Sequence, residues 1–297
     1  MRVWPECVPC VLRMSLETIR AVVDDEDEVA RLFDKVLACQ DLSVVRSTGD
    51  GDLLGEAKAH QNELALSLLP AAREFVLSSP DPFLAAVKLA AAGNVFDIMI
   101  GLDAGGPSSE LLARMASRWV DEAQVEVFRE RLAEARTVVY FTDNCGEIVF
   151  DRLLLEVVSG YGVFAGGDGT SDGGVVDRLG AAGRGRPEIT AVVRSLPVIN
   201  DATLTEARQV GLHEVVRVIE NGISFAVPAT VLGEVSAEVA ALVRDADLVV
   251  SKGGANFELL EEEDALRGKV TFLLLGKCDP LCETLEVPRD GLIVHNA

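Results

Sequence analysis

The sequence predicts an α/β protein: a mostly parallel sheet covered by helices, preceded by an all-helical region. Two observations carry this expectation. Six short β-branched runs, at 137–142, 189–194, 215–219, 247–251, 270–275 and 292–295, alternate with helically spaced segments. That alternation is the pattern of parallel strands joined by helical crossovers. Ahead of the first run, residues 5 to about 135 place their apolar residues at helical spacing and show no convincing strand. The expected division is a helical N-terminal domain over 1–135 and an α/β domain over 136–297.

In chain order, Leu12, Leu16 and Ile19 keep one face apolar, and Val29, Leu32, Phe33, Val36 and Leu37 repeat the pattern. Helices are expected next over His60 to Leu69, Pro70 to Leu77 and Pro82 to Ile100. Ser109 ahead of Leu111, Leu112, Met115 and Trp119 resembles a capped helix start. Thr137 to Thr142 is the first strand, and helical spacing resumes from Ile148. Residues 165–186 are rich in glycine and read as a loop. They do not form a dinucleotide fingerprint, because Asp172 occupies its last glycine position.

Composition excludes several function classes. With 48 acidic and 27 basic residues the net charge is -21, which repels nucleic acid and anionic membranes. Neither is expected as a partner. The richest apolar stretch, Pro82 to Leu102, is broken by Lys88, Asn94 and Asp97, too soon for a membrane helix of about 20 residues. No secretory-signal layout opens the chain, so the expected location is the cytoplasm. Six cysteines in 297 residues are too few for a disulfide framework.

The chemistry is concentrated at strand ends. The first strand runs into Asp143-Asn144-Cys145-Gly146-Glu147. The second is followed by Asn200-Asp201-Ala202-Thr203, the fourth by Ser251-Lys252-Gly253-Gly254-Ala255-Asn256, and the fifth by Lys277-Cys278-Asp279. A parallel sheet carries such ends to one edge, where α/β proteins bind ligands. That edge gathers carboxylates, amides and two lysines. Adjacent carboxylate and amide oxygens suit a hard divalent cation such as Mg²⁺, which commonly shares its coordination with a substrate phosphate. Lys252 is expected to add positive charge at the phosphate, and Gly253 and Gly254 to expose backbone N–H groups near a helix start. Together these features suggest phosphoryl transfer to water.

Taken together, these stretches resemble the damage-control phosphatase family of metal-dependent hydrolases. The matching segments are Glu6-Cys7-Val8-Pro9-Cys10-Val11-Leu12-Arg13, Lys88 to Asp97 with Ala92-Gly93-Asn94, Asp143 to Asp151, Asn200 to Thr203, Ser251 to Glu258, and Lys277-Cys278. The resemblance implies a Rossmann-like, mostly parallel sheet with helices on both faces, behind a helical N-terminal region. It implies a divalent metal (Mn²⁺, Mg²⁺, Co²⁺ or Ni²⁺) held by Asp143, Asn144 and Asp201. It implies hydrolysis of small phosphorylated metabolites, such as sugar phosphates or phosphopantetheine-like esters. Cys145 stands where the family is expected to have alanine, and the stretch 163–187 is long for the link between the first two strands.

Each candidate also has a plainer reading. Asp143, Asn144 and Asp201 are common helix-cap residues. Glu147 either favours the helix dipole in the first turn or orients water as a catalytic carboxylate. Lys252 and Asn256 either bind phosphate or sit at a turn. Asn94 and Asp97 form either a wall of the substrate site or a buried hydrogen-bonded pair. Cys7 and Cys10 read as packed thiols, a redox pair, or half a zinc site with Cys278 and Cys282. His60, His213 and His295 have no ligand spacing, and no serine elbow is present. Three rival functions remain: a covalent aspartyl-phosphate route through Asp143, carboxyl methyl transfer, and a regulatory protein that binds a phosphometabolite without turnover.

Overall fold

A computed structural model of the chain describes residue 52 and residues 54–96, 109–161, 186–277 and 279–297. Cys7, Cys10, Cys278, Asp97, the first two expected helices and the glycine-rich 165–185 stretch lie outside the described residues.

Helix α1, Gly55–Ser78, runs straight through Pro70 instead of dividing there. Its buried positions, Lys58, Gln61, Asn62, Ala65, Leu68, Leu69, Ala72 and Val76, recur every three or four residues and form one face. Packing along that face outweighs the roughly 3 kcal/mol of an interior proline. Helix α2, Pro82–Ala92, starts on a cap in which Asp81 accepts from the Leu84 N–H at 3.0 Å, with Pro82 at the first turn. A 3₁₀ turn, Gly93–Phe96, follows. Helices α3, Ser109–Ser117, and α4, Glu122–Glu134, complete the described helical region.

The sheet contains β1, Thr137–Phe141; β2, Glu188–Val193; β3, Arg217–Glu220; β4, Leu248–Lys252; β5, Val270–Leu275; and β6, Leu292–Asn296. Their order is β3-β2-β1-β4-β5-β6. Every pair is parallel except β5 with β6. Between the strands lie α5, Glu147–Ser159; α6, Leu204–Gln209; α7, Ala237–Asp245; α8, Gly254–Leu260; and α9, Asp279–Thr284. Strands β4 and β5 are buried along their whole length because helices cover both faces, which is why they read as continuous apolar runs. The α/β fold with helices on both faces is thus the observed one.

Two apolar layers flank the sheet. One unites α1, α2 and α5 with Val138, Tyr140, Leu273 and Val294 of the sheet. The other packs α7 and α8 on Val139, Val249 and Phe272. The described helices before residue 136 therefore share a core with the sheet. Among the described residues the expected boundary at 135/136 coincides with a change of secondary structure. Among the described residues no helix is long and apolar enough to cross a membrane.

Strand order reverses between β1 and β4, and the crevice beyond their carboxyl ends is the ligand position of open α/β sheets. Asp143 follows β1 there, and Gly253 follows β4.

Candidate active site

The turn after β1 is fixed by its neighbours. Asn144 and Asp201 form an antiparallel backbone bridge. Cys145 N donates to Asn200 O at 2.8 Å and Ala202 N to Asp143 O at 2.9 Å. Gly146, with φ +74°, turns the chain into α5, a conformation that costs glycine little. Its N–H donates to Asn62 Oδ1 on α1 at 2.7 Å. Asp201 lies just ahead of α6, which starts on a capping box between Thr203 and Glu206. Thr203 therefore caps the helix, and the Asp201 carboxylate is not needed for it.

These constraints bring Asp143, Asn144 and Asp201 together, all of them buried. Arg194, just past β2, ties the two acids: its Nε donates to Asp201 Oδ2 at 2.6 Å, and its Nη2 stands 3.8 Å from Asp143 Oδ1. Asn144 Nδ2 donates to Asp143 Oδ2 at 2.7 Å. Burial, the Asp201 charge and Glu147 push the Asp143 carboxyl well above the usual carboxylate range, while Arg194 and Lys277 pull it back. Gly253 packs directly on this carboxylate, and a Cβ there would fall 2.0 Å from Asp143 Oδ2.

A cavity of about 330 Å³ opens onto this pair. Asn94, Asp143, Asn144, Asn200, Asp201 and Lys277 supply polar groups to its lining, and Gly254 and Glu258 also border it. Lys277, beyond β5, is the cation that faces this space. Burial raises the Glu258 carboxyl above its ordinary value.

Several expected site residues lie elsewhere. Lys252 does not face the cavity. Its ammonium is fully buried and donates to Glu147 Oε1 at 2.5 Å, Asp151 Oδ1 at 2.7 Å and Ala90 O at 2.8 Å. As the last residue of β4 its side chain lies against α2 and α5, away from the cavity edge where the sequence predicts it to meet phosphate. The two carboxylates hold the Lys252 amine well above its ordinary value despite burial. Asp151 is pushed up to about 6, mainly by burial, and Tyr140 Oη donates to it at 2.8 Å.

Glu147 is likewise fully buried. Its Oε2 accepts from Asn94 Nδ2 at 2.8 Å and from Asn144 Nδ2 at 3.4 Å. Glu147 therefore orients two amides of the cavity wall. Asn256 is fully buried as well. Its Oδ1 accepts from Thr230 N at 2.8 Å and from Arg194, and its Nδ2 donates to Lys252 O at 2.8 Å. It braces Arg194 and is not among the residues that line the cavity. Gly253 spends its N–H on Leu273 O at 3.3 Å, so only Gly254 of the glycine pair borders the cavity.

Arg194 stands between the two acids and Lys277 lines the cavity; the sequence places Lys277 among the lysines of the strand edge and leaves Arg194 inside an expected strand. Arg194 is the last residue of the second expected strand and Lys277 the lysine after the fifth. Only their position past strand ends could have flagged them.

The residues present fit a hard divalent cation. Asp143 and Asp201 supply carboxylates, Asn144 an amide, and the Asn94 Oδ1 is buried without a hydrogen-bond partner. Oxygen donors of this kind suit Mg²⁺ or Mn²⁺. Among the described residues no three His, Cys, Asp or Glu side chains form such a group. The amides are therefore needed alongside the two acids.

Across residues 3–293 the sequence matches the family described as the damage-control phosphatase ARMT1-like domain. A damage-control phosphatase of Archaeoglobus fulgidus is 31% identical, over 97% of this chain and 96% of its own length. One from Pyrococcus horikoshii is 26% identical, over 99% and 97%. The crystal structure of a DUF89 family protein from Pyrococcus horikoshii superposes with a TM-score of 0.73 at 25% identity, covering 100% of this chain and 99% of that one. With one family pattern spanning nearly its whole length and a relative 31% identical over that same extent, the chain belongs to the damage-control phosphatase family.

Proposed function

We propose that the chain hydrolyses small phosphate monoesters in this cavity, with a divalent cation held by Asp143, Asn144 and Asp201. Family membership supports phosphatase action on damaged metabolites. The observation that carries the finer reading is the joining of two buried acids, Asp143 and Asp201, to a cavity that Lys277 also lines. Two anions beside a cation form a site for a metal–phosphate pair.

When bound, the cation supplies neutralisation of phosphoryl charge and lowers the pKa of a water. Lys277 adds positive charge toward the phosphoryl oxygens. Arg194 holds the Asp201 carboxylate in place through Nε at 2.6 Å. Glu147 fixes the Asn94 and Asn144 amides that face the ligand. Asp143, one of three carboxylates that line the cavity with Asp201 and Glu258, is assigned the proton of the attacking water. Behind them, Lys252 neutralises Glu147 and Asp151 so that this frame can remain buried.

The test is release of inorganic phosphate from p-nitrophenyl phosphate and from a panel of sugar phosphates, with Mn²⁺, Mg²⁺, Co²⁺ or Ni²⁺ added. Cation-dependent turnover is expected, and Asp143→Ala is expected to lower it at least about 100-fold. Equal rates for the two proteins reject the reading.

A further inference from the structure

Ile199 stands in a backbone conformation that its side chain disfavours. Asp201 N donates to Val198 O at 3.0 Å, closing a tight turn in which Ile199 is the first central residue. Its φ is +45°, in the left-handed region where glycine and asparagine are at ease and a β-branched residue is a genuine outlier. The other described non-glycine residues with positive φ, Glu286 and Asp290, are unbranched at Cβ and do not line the cavity. The turn is held by bonds already required at the acid pair, since Cys145 N grips Asn200 O.

Folding supplies no reason for isoleucine here. Ile199 is 45% exposed, so it is not a core residue, and the turn favours smaller residues. Yet it lines the cavity, together with Pro228, Ala255, Leu274, Leu275 and Leu281. A strained, exposed apolar residue two positions before a proposed metal ligand is explained by a ligand that covers it.

We infer that Ile199 packs against an apolar face of the bound phosphate ester, so that the favoured substrate carries an alkyl or aryl group close to its phosphate and not hydroxyls alone. The inference rests on the phosphatase reading, whose phosphate position it uses. It makes Ile199 a specificity-determining residue, with Asp143 and Asp201 indifferent to the alcohol.

The test uses two probes that cannot be hydrolysed, benzylphosphonate and 2-hydroxyethylphosphonate, titrated by calorimetry in the presence of Mn²⁺. The unaltered chain is expected to bind the benzyl compound at least about tenfold more tightly, as one well-placed apolar contact provides. Ile199→Asn, which tolerates the turn, is expected to lower that ratio about tenfold and to raise the melting temperature by a few degrees. Ile199→Val is expected to keep most of the ratio, and Leu196→Ser, outside the cavity lining, to keep all of it. Equal binding of the two probes by the unaltered chain, or an unchanged ratio in Ile199→Asn, overturns the inference. A lower melting temperature for Ile199→Asn shows that the side chain serves the fold, and also overturns it. Failure to bind either phosphonate overturns this inference and the phosphatase reading together. Preferential benzyl binding with no phosphate release from phenyl phosphate supports the inference and overturns only the phosphatase reading.

Discussion

Arg194 donates to Asp201 from Nε at 2.6 Å while the far end of the same guanidinium stands 3.8 Å from Asp143. One buried cation thus spans the two acids that end β1 and follow β2. Arg194→Lys keeps the charge and loses the planar fork. The expected result is a 10- to 100-fold loss of cation affinity or turnover, on the order seen for groups that orient metal ligands. Arg194→Ala leaves both acids buried without their partner and is expected to cost about 3–5 kcal/mol of stability. Metal titration and chemical denaturation measure the two effects separately, and an Arg194→Lys protein with unaltered cation affinity contradicts this role.

Asp143 carries a carboxyl held well above its ordinary range by burial and by Asp201. Asp143→Asn removes that repulsion. In the presence of a chelator the variant is expected to melt at or above the temperature of the unaltered chain. Adding Mn²⁺ is expected to stabilise the unaltered chain, by about 2.7 kcal/mol at a hundredfold excess over Kd, and to leave Asp143→Asn nearly unmoved. Thermal melts with and without Mn²⁺ read both halves, and equal Mn²⁺ shifts in the two proteins refute the ligand assignment.

Lys252 supports the site from behind. Lys252→Met strands Glu147 and Asp151 and is expected to cost about 3–5 kcal/mol. Lys252→Met combined with Asp151→Asn is expected to recover part of that loss, because one of the stranded charges is gone. A phosphate-binding lysine gives a different outcome: KM rises and stability is hardly affected. Urea titration of the single and double variants, alongside KM for one substrate, separates the two.

Asp151 predicts a pH dependence. Its folded pKa of about 6 lies above the ordinary carboxyl value of 3.8, so the folded state holds a proton that the unfolded state releases. The sign follows: this group favours folding fully below about pH 4, and the contribution is lost as pH rises through 6. Between those limits the slope approaches about 1.4 kcal/mol per pH unit. Urea midpoints of the unaltered chain and Asp151→Asn from pH 4 to 7 check this, with the difference between them expected to drift against the unaltered chain as pH rises.

Much of the fold was legible because its signals are local. Val138 to Phe141, Ile189 to Val193 and Val270 to Leu275 announce strands by composition alone, since helices on both faces leave no polar side to the sheet. The abrupt change to Asp143-Asn144 and the Asn200-Asp201 pair marked the crevice edge, because polar residues interrupt the apolar runs where the carboxyl ends of the strands leave the core. Pro70 misled for the opposite reason: its local helix-breaking tendency is real, and the apolar face of α1 overrides it. Lys252 and Asn256 lie off the cavity lining, which the sequence does not reveal, because polar residues beside two glycines look like a binding loop whether they face the ligand or hold the frame.

What the chain determines by itself is therefore the order of strands and helices and the identity of the acid pair, since both are written in runs of neighbouring residues. Which lysine borders the cavity was decided only by tertiary structure. Lys252 ends a strand, where successive side chains alternate between the two faces, and that alternation turns it toward α5, where Glu147 and Asp151 claim it. Lys277 follows its strand by two residues and escapes that alternation, and so borders the cavity. The difference rests on packing between segments more than a hundred residues apart, as in the contact of Lys252 with Glu147, which no local pattern encodes.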